Sequence, residues 1–143
     1  MHRHDTSTEV LTQAVLRYAV ERMRLDPPPL DVSRPAAELA AMAGRTVGPH
    51  GVGGLEALRI FGDVLAPACI SVDHPRFLSF VPAAPTEAAI LFDLVVGASS
   101  IYAGSWLEGA GAVFAENEAL RYICDLAGVG PDAGGWFVSG GPR

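Results

Sequence analysis

The sequence predicts a mainly α-helical chain of about five helices with one short strand near its end. Apolar residues recur at helical spacing in five stretches, and prolines or glycines separate these stretches from one another. One apolar, aromatic run around residue 136 has the length of a strand. Half of the 143 residues are hydrophobic, which is enough to build a core of ordinary domain size.

The first predicted helix begins at Thr6, which has capping-box spacing to Glu9. It ends near Asp26, because prolines occupy positions 27–29. A proline triplet acts as a spacer, which would let this helix dock at a distance from the segment that follows it. The alternative is that it packs on its own domain. Both arrangements remain open.

The remaining elements follow from the same signals. A short helix ends at Gly44, and a longer one ends at Pro67. The predicted spans are 35–43, 55–65, 86–101 and 112–127 for the helices and 135–138 for the strand. A single strand has unpaired backbone groups on both sides, so it implies partner strands that this sequence does not contain.

The predicted helix 86–101 is apolar almost all round, with Asp93 as a charged residue in its interior. Such a helix is usually buried, either in a core or in a subunit interface. Before it, three prolines within 74–85 predict a stiff, extended loop that carries Phe77 and Phe80. A rigid aromatic loop is suited to forming a pocket wall, although it could equally cover a core.

Composition excludes several function classes. The net charge of −6 and the pI near 5.0 argue against a nucleic-acid surface and against a basic membrane-surface helix. The longest apolar run, 88–104, is too short to span a membrane, and no signal peptide is recognised at the N-terminus. The chain is therefore expected to be cytoplasmic, with neither a membrane nor a nucleic acid as partner.

The cysteines and histidines do not predict a metal site. Cys69 and Cys124 are far apart, so we expect two buried free thiols in a reducing compartment. No three histidines have the spacing of metal ligands. His74, next to Pro75, is expected to be a hydrogen-bonded loop residue.

Four short motifs lie in the second half of the chain: His74-Pro75-x-Phe77, Phe80-x-Pro82-x-Ala84, Gly104-Ser105-Trp106 and Phe137-Val138-Ser139-Gly140-Gly141. In this order they resemble the N-terminal region of the pyridoxal-phosphate (PLP)-dependent amino-acid decarboxylases, the group with the aromatic-amino-acid and glutamate decarboxylases. The resemblance implies the N-terminal part of an α/β, aspartate-aminotransferase-like (fold type I) enzyme. Residues 1–70 would be an N-terminal helical arm that contacts the partner subunit of a homodimer. Residues 71–143 would begin the PLP-binding large domain and would end at its phosphate-binding turn.

The resemblance also assigns candidate site residues. Ser139, Gly140 and Gly141 would form part of the turn that holds the cofactor phosphate, where glycine N–H groups approach the anion closely. Pro142 departs from the family pattern, because it offers neither a hydroxyl nor an N–H. The substrate pocket would be lined by Phe80, Val81, Pro82, Ala83, Ser105 and Trp106. Core packing is the alternative role for these six residues.

No catalytic residue is expected in this chain. A PLP enzyme needs a lysine for its Schiff base, and the ten basic residues here are all arginines. The resemblance therefore predicts a segment of a carboxy-lyase that removes carbon dioxide from an amino acid, and the segment alone is expected to be inactive. The alternative is a small non-catalytic helical domain that dimerises, or binds a partner, through 86–101 and 112–127.

Overall fold

The computed structural model describes residues 5–81 and 83–138, and five α-helices form there, as predicted. They are α1 (Thr6–Met23), α2 (Ala36–Ala43), α3 (Gly54–Ile60), α4 (Glu87–Ser99) and α5 (Trp106–Ala127). The chain divides into a first unit, Met1–Glu87, and a second unit, Ala88–Arg143. The domain boundary that the sequence places between residues 70 and 71 stays a prediction.

Helix α1 is capped by Asp5, one residue before the predicted start. Asp5 has extended backbone angles, and its carboxylate accepts hydrogen bonds from the Ser7 hydroxyl at 2.7 Å and the Thr8 N–H at 3.0 Å. These hydrogen bonds lower the pKa of Asp5. The carboxylate thereby accepts a hydrogen bond from one of the backbone N–H groups that have no partner within the helix at its start.

Helix α3 continues into two irregular turns, a π-helical turn at Phe61–Leu65 and a 3₁₀ turn at Ala66–Ala68. Pro67 accounts for the ending, because it has no N–H to continue the helical hydrogen bonds and its ring crowds the preceding turn. The α-helix itself ends at Ile60, and the 3₁₀ turn passes through Pro67 and ends at Ala68, one residue after the predicted stop.

The core of the first unit forms where α1, α2 and α3 meet these turns. Ile60 and Val64 are the buried hydrophobic side chains of the described chain, each 5% exposed. The rings of Tyr18 and Phe61 pack edge to face beside them, with centroids 5.9 Å apart. Gly62 permits this packing, since a Cβ there would lie 3.1 Å from Tyr18 Cε2.

The predicted strand at 135–138 does not form, so this part of the fold prediction is wrong. The described residues contain no strand that could pair with it, and an unpaired strand gains no ladder hydrogen bonds. The Phe137 N–H instead donates to Glu116 Oε1 of α5 at 3.0 Å.

Helix α5 begins six residues before the predicted position. Its first turn, from Trp106, is separated from the rest by a kink at Gly109, where φ is −126° and ψ is 28°. Gly109 and Gly111 both lie within the helix, although glycine is a poor helix former. Gly128, at a φ of 69°, ends the helix in left-handed geometry, as the sequence predicts.

Helix α4 is exposed along its whole length, so burial within a core of this chain is the wrong alternative. All of its residues from 87 to 99 are exposed, and Phe92 keeps 66% of its surface. The other alternative, a subunit interface, stays a prediction.

The loop before α4 is turned rather than fully extended. The His74 N–H donates to the Ser71 carbonyl at 3.1 Å, and the Phe77 N–H donates to the His74 carbonyl at 2.9 Å. Phe80 and Val81 follow with φ angles of 62° and 49°. The prolines restrict their own φ angles and their immediate neighbours, but they leave the intervening residues free to form turns.

Candidate functional sites

The predicted pocket residues of the first unit lie on the surface. Phe80 is 95% and Val81 98% exposed, and Ala83 is exposed as well. Pro82 lies outside the described residues. None of these three described side chains lines the cavity that α1 and the turns after α3 form in the first unit, so their role in a substrate pocket stays a prediction.

The predicted pocket residues of the second unit stand at the start of α5. Ser105 occupies the cap position, and its hydroxyl donates to the Glu108 carboxylate. Trp106 is the first helical residue and is 61% exposed. The spacing of Ser105 and Glu108 is that of a capping box, a signal that would have placed the helix start correctly.

The predicted phosphate turn, Ser139, Gly140 and Gly141, lies outside the described residues. The last described residue before this turn is Val138, whose side chain is exposed. Its role in holding a phosphate therefore stays a prediction.

The first unit contains a cavity of about 780 Å³ that the sequence did not predict. The last turns of α1, the proline segment, the turns after α3 and the loop 69–73 surround it. Its wall is mainly apolar and includes both rings of the Tyr18–Phe61 pair. Its volume is within the range of small-molecule sites.

An ion pair forms part of the cavity wall. Arg22 Nη2 donates to both carboxylate oxygens of Asp73 at 2.9 Å, and the side chains are 36% and 30% exposed. The hydrogen bond from the guanidinium holds the pKa of Asp73 below its usual value of 3.8. The pair joins α1 to a loop 51 residues later, and no local sequence signal could have indicated such a contact.

The two thiols are free, as predicted, but they are not both buried. Cys69 is exposed beside the cavity, and Cys124 is half-buried on α5. Burial of Cys69 was therefore the wrong prediction, because the 3₁₀ turn ends just before it and leaves it at the edge of the first unit. The prediction for His74 is confirmed, since its Nδ1 accepts a hydrogen bond from the Arg76 N–H at 3.0 Å.

The described residues contain neither a cluster of metal-ligating side chains nor a membrane-spanning helix. No group of three or more His, Cys, Asp or Glu side chains in residues 5–81 and 83–138 could hold a metal ion. Over the same residues, no helix has both the length and the apolar character needed to cross a membrane.

Comparison with known proteins gives a partial match to a decarboxylase. The chain is 34% identical over 70 residues to an aromatic-L-amino-acid decarboxylase from Bacillus atrophaeus. The match covers 49% of this chain and 15% of the decarboxylase. No protein-family model matches the chain, and no solved structure matches it. The similarity suggests the PLP decarboxylase family for about half of the chain.

The residues present do not fit the covalent attachment of PLP. The cofactor is held through a lysine amine, and this sequence contains no lysine. The part of the chain that the structure describes offers no substitute, since its exposed cations are arginines, whose guanidinium groups remain charged. No chemical step through the cofactor follows from this chain's residues.

Proposed function

We propose that the chain is the N-terminal segment of a PLP-dependent carboxy-lyase that decarboxylates an amino acid. The observation that carries the proposal is the 34% identity over 70 residues to an aromatic-L-amino-acid decarboxylase. The order of the motifs between His74 and Gly141 supports it from the sequence.

In this proposal the 143 residues alone are catalytically incomplete, because the Schiff-base lysine has to come from residues other than these. Phe80, Val81, Pro82 and Ala83, with Ser105 and Trp106, would contribute to the substrate pocket, and Ser139, Gly140 and Gly141 to the phosphate turn. Homodimer formation of the complete enzyme would cover apolar surface that is exposed here, including α4.

The mass of the native protein tests the proposal. Trypsin cleaves after Arg76 and Arg121, so residues 77–121 form a single diagnostic peptide that contains all six proposed pocket residues. The decarboxylase of the comparison has roughly 470 residues, since 70 residues are 15% of its length. We therefore expect this peptide in an intact protein more than three times heavier than 15.0 kDa.

The opposite result has a clear meaning. Recovery of the peptide only from a protein of 15.0 kDa would contradict the proposal. As a second measurement, PLP added to the 143-residue protein, followed by borohydride, should label no side chain. Blocking the N-terminal amine beforehand is the control, because that amine can also react with an aldehyde.

A second candidate function is a small helical interaction domain without catalysis. The observation that favours it is the exposure of all residues of α4, together with large apolar side chains on α5 such as Leu107, 88% exposed, and Leu126, 71% exposed. Apolar faces of this kind commonly mark association surfaces. This candidate predicts a stable assembly of the 143-residue protein, whereas the first predicts that the stable assembly forms from the longer chain.

A further inference from the structure

We propose that the cavity of the first unit is a binding site for a small organic cation with an apolar body. The proposal goes beyond the function proposed above, since the cavity contains none of the residues assigned there to substrate or cofactor. It depends on three observations: the apolar wall, the aromatic pair and the excess of acidic side chains around the cavity.

The apolar part of the wall sets the size and nature of the ligand's body. The wall includes Tyr18, Phe61, Leu25 and Ile70, and Phe61 remains 49% exposed and Leu25 45% exposed. Covering such side chains with an apolar ligand removes their surface from water, which is favourable. A cavity of about 780 Å³ accommodates a molecule with one aromatic ring and its substituent.

The charges around the cavity select the sign of the ligand. Three acidic residues, Glu21, Asp31 and Asp73, line it with a single base, Arg22. Arg22 and Asp73 neutralise one another through their two hydrogen bonds. Glu21 and Asp31 form no ion pair with any described residue, so two negative charges remain to attract a cation.

The aromatic pair provides a further reason for a cationic ligand. Tyr18 and Phe61 both line the cavity, and their rings meet edge to face at an interplanar angle of 71°. The face of an aromatic ring attracts an ammonium group, and quaternary ammonium ligands are recognised in this way in proteins. Aromatic faces beside unpaired carboxylates therefore favour an organic cation over a neutral or anionic molecule of the same shape.

Cys69 provides a built-in reporter for occupancy. It is exposed and lines the cavity, whereas Cys124 lies on α5 in the other unit. Trypsin places the two thiols in different peptides, 60–76 and 122–143. The rate at which N-ethylmaleimide modifies each thiol can therefore be measured in one sample, with Cys124 as the internal reference.

The probe is benzyltrimethylammonium, compared with phenylacetate, which has a similar body and the opposite charge, and with tetramethylammonium, which has the charge without the ring. We expect benzyltrimethylammonium to slow modification of Cys69 with saturation below about 10 mM, as for a weak small-molecule site. Modification of Cys124 should not change, and the other two probes should protect Cys69 at least about tenfold less effectively.

Two substitutions on α1 separate a specific site from general charge attraction. Glu21→Gln should weaken protection about threefold, as for removal of one solvent-exposed ion contact. Glu9→Gln, on the same helix and outside the cavity, should leave protection unchanged. Equal protection by phenylacetate, equal slowing of both thiols, or equal effects of the two substitutions would each overturn the proposal.

Discussion

At the scale of single residues, Gly109 shows how one missing Cβ shapes the second unit. A Cβ at this position would lie 2.4 Å from the Tyr102 carbonyl oxygen and 2.8 Å from Ala103 Cα, which are backbone atoms that cannot rotate away. Gly109→Ala is therefore expected to destabilise the protein by about 1–3 kcal/mol, as overpacking does elsewhere. Urea denaturation followed by circular dichroism measures the change.

Gly111 provides the matched control for Gly109, two residues later in the same helix. No atom lies within 4 Å of a Cβ built at Gly111. Gly111→Ala should stabilise the protein by up to about 1 kcal/mol, because alanine loses less conformational entropy in a helix than glycine. If Gly109→Ala and Gly111→Ala change stability in the same direction, the close approach of residues 102–103 to Gly109 does not determine the effect of Gly109→Ala.

The Arg22–Asp73 pair predicts a dependence of stability on pH. The Arg22 guanidinium lowers the pKa of Asp73 in the folded state. The ion pair therefore contributes to the free energy of unfolding above pH 3.8, and this contribution is lost as the pH falls through the lower folded-state pKa of Asp73. Asp73→Asn should cost up to about 1 kcal/mol near pH 7, the range for exposed ion pairs, because both side chains keep about a third of their surface in water. The difference from the wild type should shrink below pH 3.8 in urea titrations at a series of pH values.

Asp93→Asn is the control for this titration, because Asp93 is exposed on α4 and forms no ion pair with a described residue. Near pH 7 it should change the free energy of unfolding by less than about 0.5 kcal/mol, as substitutions at exposed, unpaired positions usually do. If Asp73→Asn remains less stable than the wild type at low pH, the carboxylate stabilises the fold through packing rather than through its charge.

Single residues also show where sequence reasoning succeeds. The hydrogen-bonded role of His74 could be predicted because its cause is local, a turn of a few residues next to a proline. The exposure of Cys69 could not, since it depends on where the 3₁₀ turn before it ends. The partner of Asp73 could not either, since the Arg22–Asp73 contact joins α1 to a loop 51 residues later. A rule based on residue type, such as the usual burial of cysteine, carries no information about such a contact.

At the scale of elements, the start of α1 can be tested through its cap. Asp5→Ala removes the acceptor for the Thr8 N–H and should lower the thermal midpoint of the first unit by a few degrees. Asp5→Asn is the control, because an asparagine side chain caps a helix about as well as aspartate. The change is measured by circular dichroism, and an equal loss in both variants would assign the effect to charge rather than to capping.

The presence of the five helices could be predicted from the sequence, but the residues at which they begin and end could be predicted less well. The helices follow from apolar periodicity and from proline and glycine stops, which act within a few residues. The strand at 135–138 was wrong because a strand exists only with a partner, and propensity does not provide one. The prediction for α5 began six residues late, although Ser105 and Glu108 have the spacing of a capping box at the observed start.

At the scale of the whole molecule, the exposed surface is larger than the chain's mass explains. The accessible surface is 11829 Å². Two separate compact domains with the sizes of the two units would expose only about 8,500 Å² in total. Large apolar side chains are exposed along α4 and α5. Apolar surface of this extent favours association, whether with further residues of a longer protein or with a second copy.

The association of the 143-residue protein is therefore expected to depend on α4. Val95→Glu places a charge in the middle of its apolar surface and should shift the protein toward monomer by about tenfold or more in dissociation constant, because the charge would have to be desolvated. Val47→Glu is the same chemical change at an isolated, 85% exposed loop residue of the first unit, and it should leave association unchanged. Sedimentation velocity over a concentration series measures both. Association that persists unchanged in Val95→Glu would assign the contact to another surface, and equal weakening by both substitutions would mean that overall charge, rather than the α4 surface, controls it.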